Sequence, residues 1–120
     1  MIGVGKIGEA IARALLKAGF KRVVGTVRTE RRREQLKDLG IPVLLDNREA
    51  AREAEIVFLC VKPYQASGVL KKISGLLAGK LLISVAAAVR TDYLEALAPG
   101  ARVIGHAEHK HPCRPTRPQP

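Results

Sequence analysis

Aromatic side chains are nearly missing. The 120 residues hold two Phe, two Tyr and no Trp, which leaves almost nothing for bases to stack on and argues against single-strand nucleic-acid readout. A net charge of +10 would suit nucleic acid, an anionic membrane surface or an anionic ligand, but the cations are spread along the chain rather than gathered. With so few aromatics, the anionic ligand is the favoured partner, with no nucleic acid. Cysteine is scarce too. Cys60 and Cys113 cannot make a disulfide framework, and Cys60 stands in an apolar run as a reduced, buried thiol would. No run approaches the roughly 18 apolar residues of a membrane span, and no basic-then-apolar leader opens the sequence. No membrane association and a cytoplasmic location are the expectation.

What the chain does have is aliphatic: 47% hydrophobic residues at this length suit one domain with a modest core. Gly3-Val4-Gly5-Lys6-Ile7-Gly8 reads G-x-G-x-x-G and runs into a helical pattern, with Ile7, Ala10, Ile11, Ala14, Leu15 and Ala18 on one face and Gly19 as the stop. In such a turn the first glycine permits the tight bend, the second lets a pyrophosphate approach the backbone, and the third lets the helix pack close to a sheet. The first amides of the helix have no internal acceptors and carry the positive end of its dipole.

Beyond the turn, strands and helices alternate. Residues 21–27 read as a strand. Thr29 caps a charged helix that Gly40 ends. Residues 42–45 make a short edge strand, since Pro42 cannot donate to a ladder. Asp46 opens a helix to about Ala54, and residues 55–61 are an apolar run broken by Pro63. A helix through Val69, Leu70, Ile73, Leu76 and Leu77 follows, then a strand at 81–85, a helix opened by Thr91, and a strand at 101–104. The alternation predicts an α/β, Rossmann-type, doubly wound parallel sheet. Only Met1 and Ile2 precede the first glycine, so its first strand is expected to be incomplete. The expected division is a dinucleotide-binding domain over 1–104 and an irregular, disordered tail over 105–120. The tail's His106, His109, His111 and Cys113 fit no zinc spacing, and no metal site is expected.

Dinucleotide selection falls at the end of the second strand. NAD-binding versions carry Asp or Glu there; this chain has Thr26-Val27-Arg28-Thr29. Arg28, then Arg31, Arg32 and Arg33, can instead meet a 2′-phosphate through charge-assisted hydrogen bonds, with Arg28 and Thr29 favoured. Arg31, Arg32 and Arg33 individually read better as a solvated helix face. Cys60 lacks a nearby histidine and is not a nucleophile candidate.

Four stretches, in order, resemble pyrroline-5-carboxylate reductase in its N-terminal dinucleotide domain, over residues 2–104. They are Gly3-Val4-Gly5-Lys6-Ile7-Gly8-Glu9-Ala10, Asp46-Asn47-Arg48-Glu49-Ala50, Val57-Phe58-Leu59-Cys60-Val61-Lys62-Pro63 and Leu82-Ile83-Ser84-Val85-Ala86-Ala87. The resemblance implies hydride transfer from NADPH, or NADH, to the C=N bond of 1-pyrroline-5-carboxylate, giving proline. It implies a pyrophosphate held at Ile2, Gly3, Val4, Gly5, Lys6, Ile7 and Gly8, and the adenosine ribose phosphate at Arg28 and Thr29. Asn47 would lie near the adenosine, Cys60, Val61, Lys62 and Pro63 along the ribose and nicotinamide, and Val85, Ala86 and Ala87 under the nicotinamide. No residue here is implied to be catalytic.

Three features depart from the family. Ala88 stands where glycine is usual, the first strand is short, and the helical domain that holds the imine substrate and joins subunits into homo-oligomers does not follow. The codons of His106-Ala107-Glu108-His109 can read Met-Pro-Asn, the family's next motif, one base out of frame, which predicts a frameshifted tail. The expectation is therefore a truncated, inactive cofactor fragment of an oxidoreductase. The alternatives are another small NADP oxidoreductase, such as a cofactor F420-dependent one, or a non-catalytic NADP-binding module.

Overall fold

The computed structural model describes residues 1–85 and 90–105. Among the described residues five strands and five α-helices alternate: α1 (Lys6–Lys17), β1 (Gly25–Thr26), α2 (Glu30–Gln35), β2 (Val43–Leu44), α3 (Asn47–Glu53), β3 (Ile56–Leu59), α4 (Ala66–Ile73), β4 (Leu81–Ser84), α5 (Thr91–Leu97) and β5 (Arg102–Gly105). All pairings are parallel. β1 pairs with β2, and β3, β4 and β5 form a second ladder in that order.

Residues 1–4 join the two ladders. On one side the Ile2 amide donates to the Phe58 carbonyl at 2.8 Å and the Cys60 amide to that of Ile2 at 2.9 Å. On the other, the Thr26 amide donates to Met1 at 2.9 Å and the Val4 amide to Thr26 at 2.8 Å. The incomplete first strand thus appears as a single bridge, Ile2 to Leu59. The spatial order is β2, β1, residues 1–4, β3, β4, β5, the order of a doubly wound dinucleotide fold.

Alternation along β3 separates two cores. Val57 and Leu59 face a cluster with Ala50, Ala51, Leu70, Ile73, Leu82 and Leu94, under α3, α4 and α5. Phe58 and Cys60 face the other, with Ala12, Leu36 and Leu39, under α1 and α2. Helices therefore cover both faces, as parallel sheets require.

The helix starts follow the sequence. The Thr29 hydroxyl accepts from the Arg32 amide at 3.2 Å, and the Asp46 carboxylate from the Arg48 amide at 2.9 Å. Gly40 ends the α2 segment at φ 87°, the left-handed stop. β5 runs through Gly105, the first residue assigned to the tail by sequence.

One expectation is corrected. The face of α1 turned to the sheet carries Gly8 and Ala12, with Ile11, Leu15 and Leu16 beside them. Ile7 is 62% exposed, and Ala10, Ala14 and Ala18 are exposed as well. The sequence holds two overlapping apolar stripes. The launch from the glycine turn decides between them, because it sets Gly8 against Cys60, where an added Cβ would lie 3.4 Å from the cysteine's own.

Candidate functional site

A cleft of about 610 Å³ opens at the carboxyl ends of the strands. Gly3, Val4, Gly5, Lys6 and Ile7 form one wall, Val27, Arg28, Thr29 and Arg32 another, and Cys60, Val61, Lys62, Pro63, Gln65 and Val85 the third. A second cleft, about 490 Å³, adjoins it and shares Gly3, Val27, Arg28, Val61 and Gln65. Thr26, Leu45, Asn47, Tyr64, Gly68, Val69 and Lys72 complete its lining.

Most residues singled out by sequence converge here: Gly3, Val4, Gly5, Lys6, Ile7, Arg28, Thr29, Cys60, Val61, Lys62, Pro63 and Val85 line the first cleft, and Asn47 the second. Two do not line either. Ile2 is 1% exposed, a core residue that ties the central segment to β3. Gly8 is buried beneath the turn against Cys60. Ala86 and Ala87, like Ala88 and the tail's histidines and Cys113, lie outside the described residues.

The turn is shaped by its own backbone. Gly3 holds φ at 81°, and an added Cβ would stand 2.5 Å from Val61 Cγ1. The Gly3 amide donates to the Thr26 hydroxyl at 3.2 Å and the Gly5 amide to the Gly3 carbonyl at 2.9 Å. The donors left for a ligand come one turn later. Gly5 is the N-cap of α1, and among the described residues no side chain caps it. Glu9 is the first residue to donate back, to the Gly5 carbonyl at 2.8 Å, so the amides of Lys6, Ile7 and Gly8 precede the helix ladder. Gly5 itself has open space: an added Cβ meets nothing within 4 Å.

The electrostatics have one sign. Lys6, Arg28, Arg32 and Lys62 line the first cleft and Lys72 the second, and no carboxylate lines either among the described residues. Arg32 is partly committed. Its Nε donates to the Val4 carbonyl at 3.2 Å, and its Nη2 pairs with Glu9 Oε1 at 3.2 Å. The Arg13 guanidinium, then that of Arg32, hold the Glu9 carboxyl below its usual range. Arg32 therefore ties α2 to the glycine turn, a role that the reading of Arg31, Arg32 and Arg33 as a solvated face did not include.

Cys60 is free and half-buried, its Sγ 3.8 Å from the Phe58 carbonyl. Burial pushes its thiol up from 9.0 to about 11. Between those values the unfolded chain loses the proton and the folded chain keeps it, so stability falls with rising pH across that window. Alkylation of Cys60 in a Cys113→Ser variant is expected to be slow at neutral pH and to accelerate toward about pH 11. Fast labelling at neutral pH would contradict the burial.

Thr26, Gln65, Tyr64 and Lys72 also line the clefts, beyond the residues the sequence points to. Thr26 stands within the quoted stretch at the strand end, and strand alternation would have turned it inward. Gln65 and Lys72 belong to no motif.

A glycine turn feeding an uncapped helix, at the carboxyl ends of parallel strands ordered this way, defines a dinucleotide-binding domain of the Rossmann type. The family described as NADP oxidoreductase, coenzyme F420-dependent, matches residues 1–88, and the chain belongs to that family.

Pyrroline-5-carboxylate reductase of Corynebacterium melassecola is 39% identical over 102 residues, 79% of this chain and 38% of its own length. The structure of a pyrroline-5-carboxylate reductase from Coxiella burnetii superposes with a TM-score of 0.80 at 27% identity, covering 87% of this chain and 41% of the other. That of the Plasmodium falciparum pyrroline carboxylate reductase with NADP bound superposes at 0.75 with 26% identity, covering 87% and 39%. The chain thus spans about two fifths of the length of these relatives. Among the described residues no helix is long and apolar enough to cross a membrane.

Proposed function

We propose that the two clefts hold NADP(H), and that the chain is the cofactor half of a reductase acting on the C=N bond of 1-pyrroline-5-carboxylate to give proline. One observation carries the dinucleotide reading. The amides of Lys6 and Ile7 lack helix acceptors, stand at a cleft that among the described residues is lined by cations and no carboxylate, and lie beside a glycine with room for a close approach.

In this reading the uncapped amides bind the pyrophosphate as charge-assisted donors. Arg28 and Thr29, at the end of β1, take the 2′-phosphate, and the absence of an acidic residue there favours NADP over NAD. Asn47 and the second cleft take the adenosine. Cys60, Val61, Lys62, Pro63 and Val85, with Ala86 and Ala87 proposed beyond the described residues, flank the nicotinamide. When bound, the nicotinamide supplies the hydride. The imine must then be held at reacting distance, and that positioning is a large part of the rate. Pyrroline-5-carboxylate as substrate rests on the reductases to which the chain is similar, as does homo-oligomeric assembly. A cytoplasmic place goes with the same reading.

The test is titration with NADPH, followed by its nicotinamide fluorescence, and then addition of pyrroline-5-carboxylate. Saturable binding without turnover assigns a cofactor half, and binding with turnover assigns the whole reaction. No binding overturns the reading. The family's description favours one alternative, hydride exchange with coenzyme F420, and oxidation of NADPH by that coenzyme rather than by the imine would select it.

Arg28→Ala is expected to weaken NADPH by about tenfold, the value of one exposed charge-assisted contact, and to leave NADH nearly unchanged. Equal losses would remove Arg28 from the 2′-phosphate.

A further inference from the structure

Thr26 lines the second cleft, is 0% exposed, and is hydrogen-bonded through both its backbone and its hydroxyl. Its backbone amide donates to the Met1 carbonyl and its carbonyl accepts from the Val4 amide. Its hydroxyl is used twice. The Gly3 amide donates to Oγ1 at 3.2 Å, and Oγ1 donates to Asn47 Oδ1 at 2.5 Å.

A hydroxyl carries one proton. That proton goes to Asn47, and the other contact is made by a backbone donor. With the Asn47 oxygen placed on Thr26, its NH2 is the end left for the second cleft, which Asn47 lines. Asn47 is also the first residue of α3, so its backbone position is set by the Asp46 cap. The same hydroxyl occupies the amide of Gly3, the residue whose positive φ shapes the phosphate turn.

We propose that Thr26 is a positioning residue for the dinucleotide. One hydroxyl both holds the phosphate turn and presents Asn47 to the second cleft as a hydrogen-bond donor. The group recognised is an acceptor on the adenosine half of the ligand, a ribose, phosphate or ring-nitrogen lone pair. This rests on the dinucleotide reading of the clefts, and goes beyond it in naming a residue with no exposed surface of its own and the polarity of the one it presents.

Five variants test it, with NADPH as the probe. Thr26→Val keeps the shape and removes the hydroxyl, and is expected to weaken binding about tenfold, one hydrogen bond's worth. Thr26→Ser restores the hydroxyl and should bind within about twofold of the unchanged chain. Asn47→Ala should weaken binding no more than Thr26→Val, which also loses the contact to the Gly3 amide. The double variant should be little weaker than Thr26→Val alone, because Asn47 acts through that hydroxyl. A merely structural threonine would lower the melting temperature without that non-additivity.

Asn47→Asp keeps the acceptor that Thr26 uses and removes the outward donor. It should bind at least about tenfold more weakly even at high salt, where repulsion is screened, and it decides the matter should Thr26→Val fail to fold. Additive losses in the double variant, or undiminished binding by Asn47→Asp, overturn the inference and leave the dinucleotide reading intact. An unchanged chain that does not bind NADPH overturns both.

Discussion

Gly5→Ala should leave the fold intact and remove most of the affinity for NADPH. Gly5 has a negative φ of −96°, which any residue adopts, and an added Cβ meets nothing within 4 Å. The protein's own packing gives no reason for glycine there. A pyrophosphate does, because it must approach the amides of Lys6 and Ile7 across that open space. A methyl group in its path would cost on the order of two charge-assisted hydrogen bonds, about 3 kcal/mol, or roughly a hundredfold in dissociation constant. The melting temperature of the free chain should move little. Measured together by fluorescence titration and thermal melting, the two quantities should separate. Undiminished NADPH binding by Gly5→Ala would mean that the phosphates lie elsewhere, and the assignment of the turn would fall.

The parts legible in the sequence are those with one local cause. Thr29 and Asp46 cap helices because their side chains accept amides close by in the chain, and spacing alone predicts that. The alternation of apolar runs with helical periods predicts the parallel sheet, and the Val61-Lys62-Pro63 break places the third wall of the cleft. The face of α1 is not legible in the sequence because Ile7, Ala10, Ala14 and Ala18 make a stripe as regular as Gly8, Ile11, Ala12 and Leu15. Only the launch angle from the turn, a tertiary quantity, chooses between them. Arg32 and Thr26 escaped for the same reason. The Arg32 bond to the Val4 carbonyl spans 28 residues, and the Thr26 bond to Asn47 spans 21, distances over which no periodicity speaks. Glycine positions were legible as a motif but not in their separate roles, since spacing is blind to φ and to what an added Cβ would strike.

Gly3 is where that difference becomes largest. Gly3→Ala should damage the fold itself. At φ 81° a side chain costs about 1–2 kcal/mol. The added carbon would stand 2.5 Å from Val61 Cγ1 and 3.4 Å from the Val61 Cα and amide nitrogen, so the branched side chain has to move against backbone. Such crowding costs about 1–3 kcal/mol, and the sum is a large share of the roughly 5–15 kcal/mol that holds a small domain together. Residues 1–4 also carry the hydrogen bonds that join the two ladders, so a shift at Gly3 reaches β1 and β3 at once. A lower denaturation midpoint in the absence of any ligand is the expected result, with NADPH binding lost as a consequence. The contrast with Gly5→Ala is the point: one glycine serves the chain, the other the ligand. If the Gly3→Ala midpoint is unchanged, the turn has relaxed to a negative φ without cost. The amides of Lys6, Ile7 and Gly8 are then no longer held by the geometry that aims them at a phosphate.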